Sequence, residues 1–227
     1  MTSVESTDPG EQTIHDVACT VCACVCDDLS ISVRDNRITQ AARACKLAEP
    51  WFASLNESHS QEAEIRGAAV STDEAIQTAA NILRDARSPL IYGLSRSSTD
   101  GQRAAVALAD QLGANIDTTA SEGHAPSILA MQQVGESTCT LGEVRNRADL
   151  VIYWGSNPVE SHPRHMERYS TDSTGLHIPR GRADRTLVVV DVKPTETAAL
   201  ADWFLPIEAG RDFEALWTLR GLLRGVE

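Results

Sequence analysis

The chain has 227 residues, enough to bury a sizeable core, so size alone demands no partner. Its 20 Lys plus Arg against 32 Asp plus Glu give a formal net charge of -12, which repels phosphate backbones and argues against nucleic-acid binding. No apolar run approaches the roughly 20 residues that span a bilayer, which argues against a membrane partner.

The first stretch, residues 1–12, is polar and acidic, lacks the positive start and apolar run of a signal peptide, and reads as a disordered tail of a cytoplasmic protein. Residues 13–60 read as a cysteine-rich module, because Cys19, Cys22, Cys24, Cys26 and Cys45 fall within 27 residues while Cys139 stands alone. Inside it, Asp28 to Arg34 alternates apolar and polar, Asp35 and Asn36 supply a turn, and Arg37 to Thr39 resumes as a returning strand, so a β-hairpin separates the third and fourth ligand positions. The polar stretch Asn56 to Gly67 reads as a connector.

Residues 61–227 alternate helices and strands. Ser71 caps a helix whose apolar face is Ala75, Ile76, Ala79, Ala80 and Leu83, ending near Arg87. Pro89 to Gly93 is a short strand, and Thr99 to Leu112 a second helix. The near-continuous apolar runs Leu150 to Gly155 and Thr186 to Asp191 suit parallel strands covered on both faces. Ala198 to Leu200 makes a short helix, Trp203 to Ile207 an edge strand because of Pro206, and Phe213 to Leu223 a final helix. The fold class expected is α/β: a Rossmann-like parallel sheet flanked by helices, with a small cysteine-rich β-hairpin module before it.

The spacing Cys19-x2-Cys22-x3-Cys26-x18-Cys45 lets three thiolates converge on one loop while a fourth returns after a hairpin, as a four-iron four-sulfur cluster requires. Four thiolates also suit zinc, and reduced structural cysteines are a third reading. Cys24 reads as a bystander. The words around Cys26-Asp27-Asp28-Leu29 and Arg43-Ala44-Cys45-Lys46-Leu47, and the long run from Gln132 to His165, resemble the B-subunit family of formylmethanofuran dehydrogenase, within the molybdopterin oxidoreductase superfamily. The resemblance extends over essentially the whole chain from Val17, and corresponds to about the N-terminal half of a catalytic B subunit.

This resemblance implies an iron-sulfur role for Cys19, Cys22, Cys26 and Cys45 and an electron-relay role for Lys46. It also implies pterin contact by Gly155, Ser156, Asn157, His162, Arg164 and His165. Those residues follow an apolar run at the carboxyl end of a parallel strand, where open α/β sheets place ligands, although turns and caps explain the same residue types. In catalytic members a cysteine or selenocysteine followed by histidine ligates tungsten or molybdenum, whereas here Gly123 precedes His124. Glycine offers no donor, and neighbouring Glu122 is displaced by one residue. A tungsten or molybdenum pterin is therefore expected to be absent, and His124 is the one candidate acid/base group. No nucleophile elbow surrounds Ser127.

The expected function is that of a B-type subunit in one-carbon metabolism. The first reading is a non-redox structural subunit of a formyltransferase/hydrolase complex, with the other subunits of that hetero-oligomer as partners and the chain a shortened relative or a fragment. The alternatives are an active formylmethanofuran dehydrogenase subunit and an iron-sulfur electron-transfer subunit.

Overall fold

The computed structural model describes residues 4–8, 10–57, 63–95 and 97–225, with only the backbone described for 4–8. Residues 1–3 and 9 of the expected tail, and 58–62 of the expected connector, lie outside the described residues. Strands β1 (Val4–Asp8), β2 (Glu11–Val17), β3 (Leu29–Arg34) and β4 (Arg37–Ala42) form an antiparallel sheet in the order β1-β2-β3-β4. The stretch expected to be a tail is thus partly strand. Its polar sequence carries no apolar alternation, and its structure comes from backbone pairing with β2 and β3. The β3–β4 hairpin turns where the residue pattern predicts, with Asp35 and Asn36 both at positive φ (51° and 59°), the conformation a two-residue hairpin loop needs. Helix α1 (Ala48–Ser54) closes this sheet, packing Ala48 and Phe52 against Leu29 and Ile31.

A second compact body, His59–Thr138, contains the hairpin β5 (Ala63–Ile65) and β6 (Ala68–Val70), then α2 (Thr72–Asp85), β7 (Leu90–Gly93), α3 (Thr99–Leu112), β8 (Asn115–Thr118), α4 (Ala120–Gly123) and α5 (Ala125–Val134). Ser71 and Ser98 accept backbone amides at the starts of α2 and α3, and β7 pairs in parallel with β8.

The chain then returns to the first body with α6 (Leu141–Arg147), β9 (Leu150–Trp154), α7 (Pro158–Ser161), α8 (His165–Tyr169), β10 (Thr186–Asp191), β11 (Trp203–Pro206) and α9 (Asp212–Leu223). The parallel sheet has the order β11-β10-β9, with Pro206 at an edge as expected. One face holds a core of Val151, Met166, Leu187 and Val189. On the other face Ile152, Val188 and Trp203 stand in register, and Trp203 is 65% exposed.

The architecture is the expected mixed α/β one, with parallel strands flanked by helices and a cysteine-rich hairpin region. The division differs from a 13–60 module followed by one 61–227 domain: Met1–Ser58 and Cys139–Glu227 form one body, and β7 belongs to the other. Alternation of strands and helices identifies elements, but it does not say which strands pair. No described helix is long and apolar enough to cross a membrane.

Candidate functional site

Four of the clustered cysteines sit on the connection between β2 and β3, and Cys45 lies just before α1. The Cys19 amide donates to the Cys26 carbonyl at 2.7 Å and closes the loop. Between the cysteines, Ala23 and Val25 take left-handed φ values of 61° and 45°, uncommon for residues with a Cβ. The backbone thereby folds tightly enough for Cys19, Cys22, Cys24, Cys26 and Cys45 to line one small, tightly closed pocket, with a cavity volume of only about 10 Å³. Amides of Ala48 and Glu49 both donate to the Cys45 carbonyl at 2.9 Å, fixing the fourth ligand position to the start of α1.

Cys24, expected to be a bystander, is 3% exposed and shares this pocket with the other thiols. Burial, reinforced by a hydrogen bond to Cys22, pushes its thiol up to about 12. Burial raises Cys26 as well, opposed by the guanidinium groups of Arg164 and Arg168. The donors that line the pocket as side chains at its centre are thiols, a soft set that fits an iron-sulfur cluster or zinc better than a hard cation. Among the described residues, no three Cys, His, Asp or Glu side chains converge as a preformed site for one ion.

The cysteine loop is fastened to α8 by ion pairs. Arg164 donates two parallel bonds to Asp28 at 2.7 and 2.8 Å, Arg168 contacts Asp28 at 2.9 Å and Asp27 at 2.5 Å, and Arg43 reaches Asp28 at 2.6 Å. The Tyr169 hydroxyl donates to the Cys24 carbonyl at 2.6 Å. The Arg164 hydrogen bonds hold the Asp28 carboxyl below its ordinary range against the opposing effect of burial. Arg164 and Arg168 are four apart at one short helix, so both reach Asp28, and Arg168 also reaches the adjacent Asp27. The words containing these residues stand out in the sequence, but their pairing across 136 residues does not.

Arg164, one of the residues the resemblance assigns to a pterin, is engaged here with Asp28 of the cysteine loop. Asn157 is also committed within the chain: its Oδ1 accepts from the Thr197 amide and hydroxyl at 3.1 and 2.6 Å, and its Nδ2 donates to Glu160 at 2.9 Å. Buried Thr197 thereby ties the loop after β10 to the end of β9. Gly155, at φ +56°, and Ser156 remain exposed at that strand end. His162 meets the Ser161 hydroxyl at 2.8 Å, and His165 packs between the rings of Tyr153 and Tyr169. Burial lowers the His165 pKa, and His162 lowers it further. Lys46 lies 3.7 Å from Glu196, on the loop that follows β10.

Gly123 and His124 belong to the other body, at the junction of α4 and α5, and both are exposed, as are Glu122 and Ser127. A Cβ built on Gly123 meets nothing within 4 Å, so the residue is not glycine for lack of room.

A residue that sequence reasoning missed altogether is Arg185, 4% exposed at the start of β10. It donates to four main-chain carbonyls: Ala148 at 2.9 Å, Arg145 at 2.6 Å, Thr171 at 3.3 Å, and Ser173. It joins the end of α6 to the segment that follows α8, and so holds the helix that grips the cysteine loop. Only its place before an apolar strand could have drawn attention to it.

No family model matches the sequence. The chain is 42% identical over 223 residues to the B subunit of tungsten-containing formylmethanofuran dehydrogenase 2 from Methanocaldococcus jannaschii, an alignment covering 94% of this chain and 51% of that protein. It is 32% identical over 94 residues to the B subunit of the formyltransferase/hydrolase complex from Methylorubrum extorquens, covering 41% of this chain and 26% of that one. The crystal structure of that complex with methylofuran contains a chain that superposes with a TM-score of 0.55 at 26% identity, covering 71% of this chain and 44% of the other. The chain therefore spans about half the length of the first of these relatives, and belongs to the formylmethanofuran dehydrogenase B-subunit family.

Proposed function

We propose that the chain serves as a B-type subunit of a hetero-oligomeric one-carbon complex, in which its cysteine loop holds an iron-sulfur cluster and it performs no tungsten or molybdenum chemistry of its own. A four-iron cluster would supply one-electron transfer. The residues that would hold it are Cys19, Cys22, Cys26 and Cys45. The chain's own contribution is to bury Cys19 and Cys26, place two guanidinium groups beside Cys26 that oppose the rise burial imposes on its thiol, and anchor the loop through Asp28. The observation that carries the non-redox part is Gly123, which puts no donor where the family resemblance expects sulfur or selenium.

Partner subunits suit the exposed face of the β11-β10-β9 sheet, since parallel sheets are ordinarily covered on both sides. Leu150, Ile152, Trp203 and Leu205 are each about half exposed or more there, and on α9 Phe213 and Trp217 are 70% and 60% exposed. The free thiols suit a reducing compartment, which we take to be the cytoplasm.

A second reading has one observation in its favour. Identity to the tungsten-containing relative is higher and far longer than to the formyltransferase/hydrolase one, which favours a piece of a working formylmethanofuran dehydrogenase whose metal ligand comes from elsewhere. Anaerobic affinity purification from the native cell, followed by elemental analysis, separates the two. The first reading expects copurifying subunits, about four irons per chain and no stoichiometric tungsten or molybdenum. Stoichiometric tungsten or molybdenum overturns it in favour of the second, and iron-free, colourless protein overturns the cluster in both.

A further inference from the structure

Beside the cysteine loop lies a concavity of about 720 Å³ whose polar wall includes Arg43, Arg145, Arg164, Arg168, Asp28 and Glu167. Its charges do not balance. Three of the four guanidinium groups converge on one carboxylate, that of Asp28. Glu167 contacts Arg164, and Asp27, outside the pocket, takes Arg168. The remaining cation, Arg145, donates its Nε to the Thr174 carbonyl at 3.1 Å and meets no carboxylate within 4.0 Å among the described residues. Four positive groups thus face three acids, in a protein whose net charge is -12.

Two further features point the same way. The Nε of Arg168 is buried without an acceptor among the described residues, a donor that ordinarily finds a partner. Arg43 is held at φ +66°, a left-handed conformation unfavourable for a residue with a Cβ, with its side chain turned toward Asp28. Planar, forked guanidinium groups match the oxygens of phosphate and carboxylate in pairs, and a cluster of them retains attraction for an anion that one shared carboxylate leaves unsatisfied.

We propose that this arginine-walled concavity is a binding site for the oxyanion end of a small acidic ligand, a phosphate or a carboxylate group, held between Arg145 and Arg43. Cys45 lies in the same wall, but none of the four guanidinium groups is needed as a metal ligand, so the anion site stands on the arginines alone. A concave wall with one unpaired arginine suits a small molecule better than a flat acidic surface of another protein.

Isothermal titration calorimetry on the full chain at low ionic strength tests this, with inorganic pyrophosphate and citrate as probes. The expected result is one saturable site per chain for at least one probe, with Arg145→Gln and Arg43→Gln each weakening it about tenfold. Both residues are exposed rather than packed in a core, so the unfolding midpoints of these variants are expected to match the parent, and Asp28→Asn is expected to tighten binding by removing the competing carboxylate. Stronger binding of pyrophosphate assigns the site to a phosphate-bearing ligand, and stronger binding of citrate to a carboxylate-bearing one. Absence of saturable binding of either probe at about 10 mM, or binding indifferent to both arginine variants, overturns the proposal.

Discussion

Replacing Asp28 with asparagine keeps the shape of the side chain and removes the charge that three arginines share. Asp28 is 22% exposed, Arg164 11% and Arg168 18%, so the cluster is only partly screened by water, whereas Arg43 at 63% adds little. Breaking a buried pair by neutralising one partner costs about 3–5 kcal/mol, since the other charge stays behind. Here Arg164 keeps Glu167 and Arg168 keeps Asp27, and some solvent reaches the group, so we expect about 2–3 kcal/mol. All four tryptophans, Trp51, Trp154, Trp203 and Trp217, lie in the body that contains the cluster, so urea unfolding followed by tryptophan fluorescence reports this unit. The midpoint is expected to fall with little change in slope. An oxyanion that occupies the adjacent concavity should then restore part of the loss, by an amount that grows with its concentration. An Asp28→Asn protein within about 0.5 kcal/mol of the parent, with or without anion, would show that the arginines do not depend on this carboxylate.

Other outcomes follow from single residues. Arg185→Met leaves four main-chain carbonyls without their charged donor and is expected to cost about 3 kcal/mol in the same unfolding assay, with Arg185→Lys intermediate. Because burial lowers the His165 pKa below its unfolded value of about 6.5, the unfolded chain binds more protons as pH falls through that value. Stability is therefore fully present above it and lost as pH drops toward the folded pKa; a flatter pH dependence between about pH 7 and 5 in His165→Phe, and a histidine NMR titration shifted to low pH, check this. Gly123→Cys adds a side chain into open space at ordinary φ, so a melting temperature within a few degrees of the parent is expected. If that variant acquired tungsten in the native host and the parent chain did not, the glycine alone would account for the difference.

Legibility in the sequence followed the reach of the forces involved. The β3–β4 hairpin and the helices from Thr72 and Thr99 are specified by nearby residues: an alternating stripe, two turn residues with tolerated positive φ, and serine caps. By contrast, β1, β2 and β8 are polar or mixed and exist because a neighbouring strand pairs with them, which no local pattern announces. Helix α8 has five residues, too short to be stable alone, and is held by Arg164, Arg168 and Tyr169 on the cysteine loop. The cysteine positions were legible from spacing. The inclusion of Cys24 in their pocket was not, because it depends on the left-handed turns at Ala23 and Val25.

That long-range dependence bears on which function the cysteines can serve. A free electron-carrying module would have to fold from residues 13–60 alone. Here the hydrophobic core of that segment includes Tyr169 among its packing partners, the Cys24 carbonyl receives its hydrogen bond from the same tyrosine, and Asp28 without α8 would keep only exposed Arg43. The partly buried Asp28–Arg164 pair ties the cysteine loop to the start of α8 by direct contact rather than through a flexible linker. Lys46, directly after the last clustered cysteine, meets Glu196 beyond the carboxyl end of β10 and makes a second connection in the same direction. The arrangement favours a cysteine centre built to work against this sheet, as an integral part of a B-type subunit, over one that detaches as a carrier.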